Sequence, residues 1–389
     1  MRALFATGSL VHGGAERHSI TLLNRLAERG HECHAVYVKH DPSQLERIRL
    51  RDSGTVACLH AARYFDWSAV NGFADHLRRL RPSVIMAANP YALMYASFAR
   101  SVARLRVPLV ATFHTNRLGG IRDQVKMALE RVHFWRADCC VFVCRRQKGY
   151  WLRRAVFGRR NEVIHNGVDT AHFSEAAVPG ARARIRSASG FAERDYVIGV
   201  SAVLRPEKNH LHLLEALAAL RRLGCPARAL LIGDGEMRPA IEARARELGV
   251  ASEVTITGLQ SDVRPFIAAC DVIALTSFTE AFSLAALEAM AMARPVVHSN
   301  VGGAAEMIFD GWNGHLYPAR DTRALVKRLG LLGDAGRAAS MGRNARQVAE
   351  TLFSEHAMID RYERLLGELC TARTLSVDTL PVGSTPTGP

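Results

Sequence analysis

The chain has 389 residues, 48% of them hydrophobic, and a formal net charge of +14. That length allows a large core and two domains, and no apolar run reaches the roughly 18 residues that a membrane-spanning helix needs. The opening MRALFATGSLVHGG reads as a short strand and a glycine turn, because its apolar run is broken too early for a secretory signal.

The basic charge is uneven. Residues 1–180 hold 27 of the 51 Lys and Arg but only 14 of the 37 Asp and Glu, so nearly all of the excess belongs to the first half. Such asymmetry points to an anionic partner for that half, unless it reflects an Arg-rich composition alone. The eight cysteines form no C-x2-C pair, which suits a reduced, cytosolic setting with mostly buried thiols. Cys139, Cys140 and Cys144 are close enough in sequence to suggest a metal, but they lie on or beside an apolar strand and read as core.

In chain order, Met1 to Gly8 is a strand, and the loop with Gly13 and Gly14 feeds a helix ending near Ala27. Two glycines at a strand's carboxyl end permit close backbone approach to a ligand, although the G-x-G-x-x-G fingerprint is absent. Strands at His34–Val38, Ser83–Ala87, Pro108–Phe113 and Cys139–Val143 alternate with helices at Ser68–Leu80, Tyr91–Leu105 and Gly120–Trp135. This alternation predicts a parallel, doubly wound α/β sheet. His114 stands directly at the end of PLVATF. Arg145 to Arg160 interleaves seven basic residues with Tyr150, Trp151 and Phe157. That pattern suits an anionic membrane interface, a nucleic-acid backbone or a solvated helix with its rings turned inward. A strand and turn are expected at Val163–Asp169 and a linker over 174–194, with the domain boundary near 180.

The second half repeats the alternation. Strands are expected at Tyr196–Val203, Arg228–Ile232, Val254–Thr257, Asp271–Leu275 and Pro295–Ser299. Arg205 and Lys208 follow the first of these, cations placed to meet an anion at the sheet's mouth. Gly233 and the Gly258-Leu259 pair end the next two. The stretch SFTEAFSLAALEAMAMARPVVHSNVGG, Ser277 to Gly303, organises the whole half. Ser283 can cap a helix beginning at Leu284, which turns free backbone N–H groups and the positive dipole end toward an anion such as a diphosphate. Glu280 precedes that helix and Glu288 lies about two turns into it. A lone E-x7-E spacing is equally compatible with an ordinary strand–loop–helix unit. Helices at Thr322–Leu332, Ala335–Leu352 and 356–370 follow, with a tail expected over 371–389.

Together these residues resemble the large family of retaining glycosyltransferases with the GT-B fold, family 4 in the sequence classification. The resemblance rests on GGAER after the first strand, I-x-N-G-V-D at Ile164–Asp169, R-x-x-K at Arg205–Lys208 and the E-x7-E segment. It spans roughly residues 1–365. It implies two Rossmann-like domains facing a cleft, the first (1–180) for the acceptor and the second (190–355) for the nucleotide sugar. It further implies that the 356–370 helix packs on the first domain. The catalytic set it implies is Glu280 and His114 at the donor sugar, with Arg205 and Lys208 on the pyrophosphate. The donor-binding set is Gly13, Gly14, Asn166, Gly233, Gly258, Leu259, Phe282, Ser283, Leu284 and Glu288, the last on the ribose. The family usually has glycines flanking its phenylalanine, where this chain has Ala281 and Ser283.

The expected reaction moves a sugar from a UDP- or GDP-linked donor to a glycan or lipid-linked acceptor of surface-polysaccharide or glycolipid synthesis. No D-x-D motif exists in the chain, which fits a metal-independent reaction with the nucleotide sugar as co-substrate and no cofactor. The expected location is cytoplasmic, peripheral at the inner membrane face, with no nucleic-acid partner. A sugar-nucleotide epimerase or hydrolase, a nucleic-acid-binding module and a silent nucleotide-sugar-binding protein are the alternatives.

Overall fold

The computed structural model describes residues 1–11, 13–51, 53–114 and 120–378, with backbone alone at 121–122 and 373–378. The chain forms two compact units. One comprises 1–142, 148–164 and the chain from 359, and the other 143–147 and 165–358. The sequence boundary between them falls at Ile164/His165, ahead of the expected residue 180.

The first unit is built from β1 (Arg2–Thr7), α1 (Gly14–Glu28), β2 (Glu32–Tyr37), β3 (Val56–Cys58), α2 (Trp67–Leu80), β4 (Val84–Ala88), α3 (Asn89–Val102), β5 (Leu109–Phe113), α4 (Ile121–Trp135), β6 (Cys139–Phe142), α5 (Arg145–Leu152, from Lys148 on) and β7 (Arg160–Val163). Its seven strands are parallel in the order β3-β2-β1-β4-β5-β6-β7. Strands buried on both faces explain the continuous apolar runs VIMAA and LVATF. Phe113 anchors the core, with its ring edge-on to Trp151 at 4.5 Å and to Phe134 at 5.2 Å.

Three sequence expectations shift in this unit. β3 was not anticipated, because a three-residue edge strand carries almost no alternation to read. The strand expected from Val163 ends there instead, since Arg160–Val163 pairs with β6. Trp151 is fully buried, so of the three aromatics in the basic segment it serves the core, while Phe157 is exposed.

The second unit contains α6 (Ala181–Ala188), β8 (Tyr196–Ser201), α7 (His210–Arg222), β9 (Ala227–Ile232), α8 (Arg238–Glu247), β10 (Val254–Ile256), α9 (Arg264–Ala269), β11 (Val272–Leu275), α10 (Leu284–Ala291), β12 (Val296–Ser299), α11 (Ala304–Met307), β13 (Gly314–Tyr317), α12 (Thr322–Leu331) and α13 (Ala335–Leu352). Its parallel sheet runs β10-β9-β8-β11-β12-β13. Each sheet reverses its winding direction beside its first strand, between β1 and β4 and between β8 and β11. Open α/β sheets bind ligands at the carboxyl ends of strands at such switch points.

The last helix, α14 (Glu355–Asp378), continues past residue 370, so the tail expected from 371 begins as helix; 379–389 lie outside the described residues. From Ile359 it belongs to the first unit. There Tyr362 is buried against His18, whose Nε2 lies 3.3 Å from its hydroxyl. Arg29 pairs with Asp360 at 2.7 Å and Glu363 at 2.6 Å.

The expected linker over 174–194 contains α6, whose Arg186 is buried. Its guanidinium donates to Asp271 at 2.6 Å and to the carbonyls of Ala269 at 3.0 Å and Asp195 at 3.1 Å. Arg186→Met keeps the stem but abandons these acceptors. Asp271 keeps Arg182 as a partner at 2.5 Å, so the expected loss is roughly 1–3 kcal/mol, the cost of buried carbonyls left without their donor. Urea titration of the variant measures it; a loss below about 1 kcal/mol would show the network to be idle.

Candidate functional site

The candidate site is built at the switch point of the second sheet. Beyond β8 the chain makes a one-turn 3-10 helix, Pro206–Lys208, with Arg205 before it and Asn209 after it. Leu204 is fully buried and its N–H donates to Asp234 O at 2.9 Å, which fixes the loop from below. Asn209 takes a left-handed φ of 51°, a conformation that asparagine enters more readily than most residues.

The loop after β11 is tied to this turn. Thr276 Oγ1 donates at 3.0 Å to the carbonyls of Lys208 and Asn209. The Phe278 N–H donates to Glu207 O at 2.8 Å, and Ser299 Oγ to Ser277 O at 2.7 Å. These bonds bring Lys208 Nζ onto Glu280 Oε1 in a half-buried ion pair. Ser277 Oγ donates to the same carboxylate oxygen at 3.0 Å. Arg205, by contrast, is exposed, and among the described residues its guanidinium makes no hydrogen bond. The site therefore holds one cation committed to a carboxylate and one uncommitted.

The predicted cap is present. Ser283 Oγ accepts from the Ala286 N–H at 3.3 Å and starts α10, worth about 1 kcal/mol to the helix. The N–H groups of Leu284 and Ala285 are left at the helix start, where an anion is favoured. Glu288, on the same helix, is buried and partnered. Neither Ala281 nor Ser283 takes a left-handed φ, so this backbone path does not itself require the family's glycines.

Phe282 and Asn166 act from beneath. The Phe282 ring is buried, 4.9 Å from the His165 ring and 5.4 Å from that of Phe353. Asn166 Nδ2 donates to Phe282 O at 2.9 Å. They anchor the loop that carries the residues the resemblance assigns to the donor. Gly302 and Gly303 complete the support: the Gly303 N–H donates to Ala281 O at 2.8 Å, and Gly302, at φ 53°, passes directly beneath the Glu280 carbonyl.

Gly233 and Gly258 form an isolated antiparallel bridge at the ends of β9 and β10. Gly233, at φ 149°, lies so close to the Ala202 carbonyl that a side chain would collide with it. Leu259 beyond it is 74% exposed, a side chain open to a planar ligand.

The remaining predicted residues lie on the first unit. Gly13 caps α1 and Gly14 begins it, both without left-handed φ. His114 follows β5, and the residues after it, 115–119, lie outside the described residues. Burial pushes His114 down to about 4, so it is a neutral imidazole at pH 7. Its Nε2 is buried without a partner among the described residues. The His18 ring packs 4.8 Å away and is held well below the usual histidine range by burial and then by His114.

Sequence reading missed three contributors. Ser277 opens the E-x7-E stretch but has no role in the motif. His298 on β12 is buried and held below its usual range by burial, against the opposing pull of Glu280. Glu306 accepts from the Arg145 and Arg146 N–H groups at 3.0 and 3.1 Å and lies 3.0 Å from His165. Burial opposes its charge, yet these partners hold its carboxyl below the usual range. Among the described residues, one group of side chains is close enough to ligate a metal: His40, Cys58 and His60 on the first unit. Cys139, Cys140 and Cys144 are buried thiols, Cys139 and Cys144 both pushed up to about 12 by burial.

Residues 12–172 match the family described as Glycosyltransferase Family 4, and residues 181–348 match Glycosyl transferases group 1. The chain is 33% identical over 269 residues to a GDP-mannose-dependent alpha-(1-6)-phosphatidylinositol monomannoside mannosyltransferase of Mycolicibacterium smegmatis, covering 66% of this chain and 68% of that one. It is 28% identical to the lipopolysaccharide core biosynthesis glycosyltransferase LpsE of Rhizobium meliloti, over 91% of this chain and 96% of that one. Aligned stretches span 45%, 68% and 65% of the lengths of three curated relatives that it matches. The crystal structure of Anabaena Alr3699/HepE in complex with UDP superposes with a TM-score of 0.82 at 23% identity, covering 95% of this chain and all of that one.

Proposed function

This chain belongs to the family 4, group 1 glycosyltransferases of the GT-B fold, and on that premise we propose that it moves a sugar from a nucleoside diphosphate sugar to a glycan or lipid-linked acceptor, with retention of configuration. The observation that carries the reading is the Lys208–Glu280 pair held beside the capped start of α10, at the switch point of the second sheet. Breaking the bond between sugar and diphosphate leaves negative charge on the phosphoryl oxygens. Fixed cations and helix N–H groups stabilise that charge without having to reorganise. In this reading Lys208 and Arg205 meet the diphosphate together with the N–H groups of Leu284 and Ala285. Glu280 positions the donor sugar. Glu288 takes the ribose diol, and the Gly258-Leu259 turn takes the base. On the first unit, the resemblance assigns a sugar-binding role to His114, a neutral imidazole whose Nε2 has no partner among the described residues. Protein cations carry the diphosphate charge, so the scheme assigns no metal to it.

The test is a thermal shift with UDP, GDP and ADP in parallel, followed by product analysis with and without acceptor. A nucleotide at about a hundred times its Kd stabilises the fold by about 2.7 kcal/mol. UDP or GDP is expected to raise Tm, and Glu288→Ala to abolish the rise. A folded protein that responds to no nucleoside diphosphate would leave the proposal without a donor.

We place the acceptor at an anionic lipid surface. The Mycolicibacterium relative is named for phosphatidylinositol monomannoside and the Rhizobium one for lipopolysaccharide core synthesis. No helix among the described residues is long and apolar enough to cross a membrane. On α4, however, Val125, Leu129 and Val132 form an exposed apolar face at i, i+4 and i+7. Trp135 and Phe157 are exposed beside one another, ring centres 6.3 Å apart, and the Arg131 guanidinium lies 5.9 Å from the Trp135 ring centre. Apolar and aromatic groups ringed by Arg and Lys suit the head-group layer at the cytoplasmic face. The protein is expected to sediment with anionic liposomes and less with neutral ones, and Leu129→Glu to weaken the difference. Equal sedimentation with both would remove the lipid surface from the proposal.

A further inference from the structure

β2 and β3 end side by side at one edge of the first sheet, Tyr37 opposite Cys58. His40 follows one strand and His60 the other. The ligand atoms of His40, Cys58 and His60 all lie within 4.8 Å of one another. The two imidazole rings are stacked, 5.2 Å between centres and 19° between planes. Among the described residues neither ring makes a hydrogen bond to a protein group.

The backbone carrying the three side chains is pinned. The Leu59 N–H donates to Tyr37 O at 2.9 Å, Ala61 to Val38 O at 3.0 Å and Lys39 to Gly8 O at 2.9 Å. His60 is held at φ 51°, a left-handed conformation that a non-glycine residue occupies at a cost. That turn directs the His60 N–H to Cys58 Sγ at 3.4 Å. Two imidazoles and a thiolate, with no carboxylate, are borderline-soft donors that select zinc-class ions over magnesium or calcium.

We infer that His40, Cys58 and His60 form a three-ligand site for a zinc-class divalent ion, with its fourth position open to water or an anionic oxygen. Zn–N bonds of about 2.0–2.1 Å and a Zn–S bond of about 2.3 Å put tetrahedral ligand atoms roughly 3.3–3.6 Å apart. Rotation of the exposed His40 and His60 side chains closes the remaining gap. On binding, the Cys58 S–H bond breaks and its proton passes to solvent. The sulfur pair forms the metal bond, and the ion keeps its charge of two.

The experiment is titration of the metal-free, full-length protein with Co2+ and Zn2+. One equivalent of Co2+ is expected to bind with a thiolate-to-cobalt charge-transfer band, and Zn2+ to displace it. Cys58→Ser should abolish the band. His40→Ala should weaken Zn2+ binding by at least the roughly 10–100-fold that loss of an outer-shell partner costs. His60→Asn removes a ligand while tolerating the left-handed turn, so it separates ligation from misfolding; Tm checks the fold of each variant. Absence of the band at excess Co2+, or a band or affinity unchanged in Cys58→Ser, would overturn the site.

Discussion

Lys208→Met is expected to lower kcat by about 10²–10³-fold, the usual cost of one donor aimed at developing charge. The ammonium has two neighbours to answer to. In the resting protein it pairs with Glu280, which Ser277 also holds. In the reaction it meets charge growing on the diphosphate. Methionine keeps the stem's packing and removes both services, leaving Glu280, among the described residues, with the Ser277 hydroxyl. Steady-state kinetics separate the two. Lost donor binding raises KM, whereas lost transition-state stabilisation lowers kcat and kcat/KM together. The pair is half-buried, so the variant should stay folded, which its Tm verifies. A kcat within about threefold of wild type, less than 1 kcal/mol of barrier, would remove Lys208 from the chemistry. Arg205→Ala, at an uncommitted cation, is the natural companion, with no carboxylate partner to strand.

The same pair shows what was legible in the sequence. Arg205, Lys208 and Glu280 stand after apolar strands, and both strands formed where the runs predicted. Ser283 before an apolar run announced α10, and its cap bond is there. Signals of this kind are local: a turn residue, a cap, a run of four to six buried positions. The misses are non-local. α6 looked like linker because ARARIRSA alternates charge with small residues. Its helix is secured by Arg186 reaching Asp271, a partner far along the chain that no window of sequence contains. Trp151 lies in a segment whose composition left membrane interface, nucleic-acid backbone and inward-turned rings open, and only the position of Phe113 shows that it fills the core. β3 is too short to carry a period, yet it places Cys58 between two histidines. The roles of Phe282 and Asn166 were legible as motif but not as mechanics, since a motif does not say whether a ring points toward ligand or core.

Gly302→Ala tests those mechanics most sharply. The glycine sits at φ 53°, and a Cβ there would run into the Glu280 carbonyl, with the Ala281 carbonyl at 2.9 Å. Both obstacles are backbone, and that backbone is fixed by Gly303 bonding Ala281 O. It cannot give way as a flexible side chain would. The loop carrying Glu280 must therefore move, or the β12 turn must, and either one parts Glu280 from Lys208. Overpacking of this kind costs roughly 1–3 kcal/mol, with left-handed strain of the same order added. A displacement near 1 Å at a reacting group can itself cost about 10²-fold. The expected result is a lowered Tm together with a kcat loss of about 10²-fold or more. Gly311→Ala separates strain from collision. Gly311 has φ 86°, but no atom lies within 4 Å of its added Cβ, so it should lose some Tm and keep its kcat. If the two variants lose kcat equally, the Gly302 turn does not position Glu280, and the ion pair is set by the Ser277 and Thr276 bonds alone.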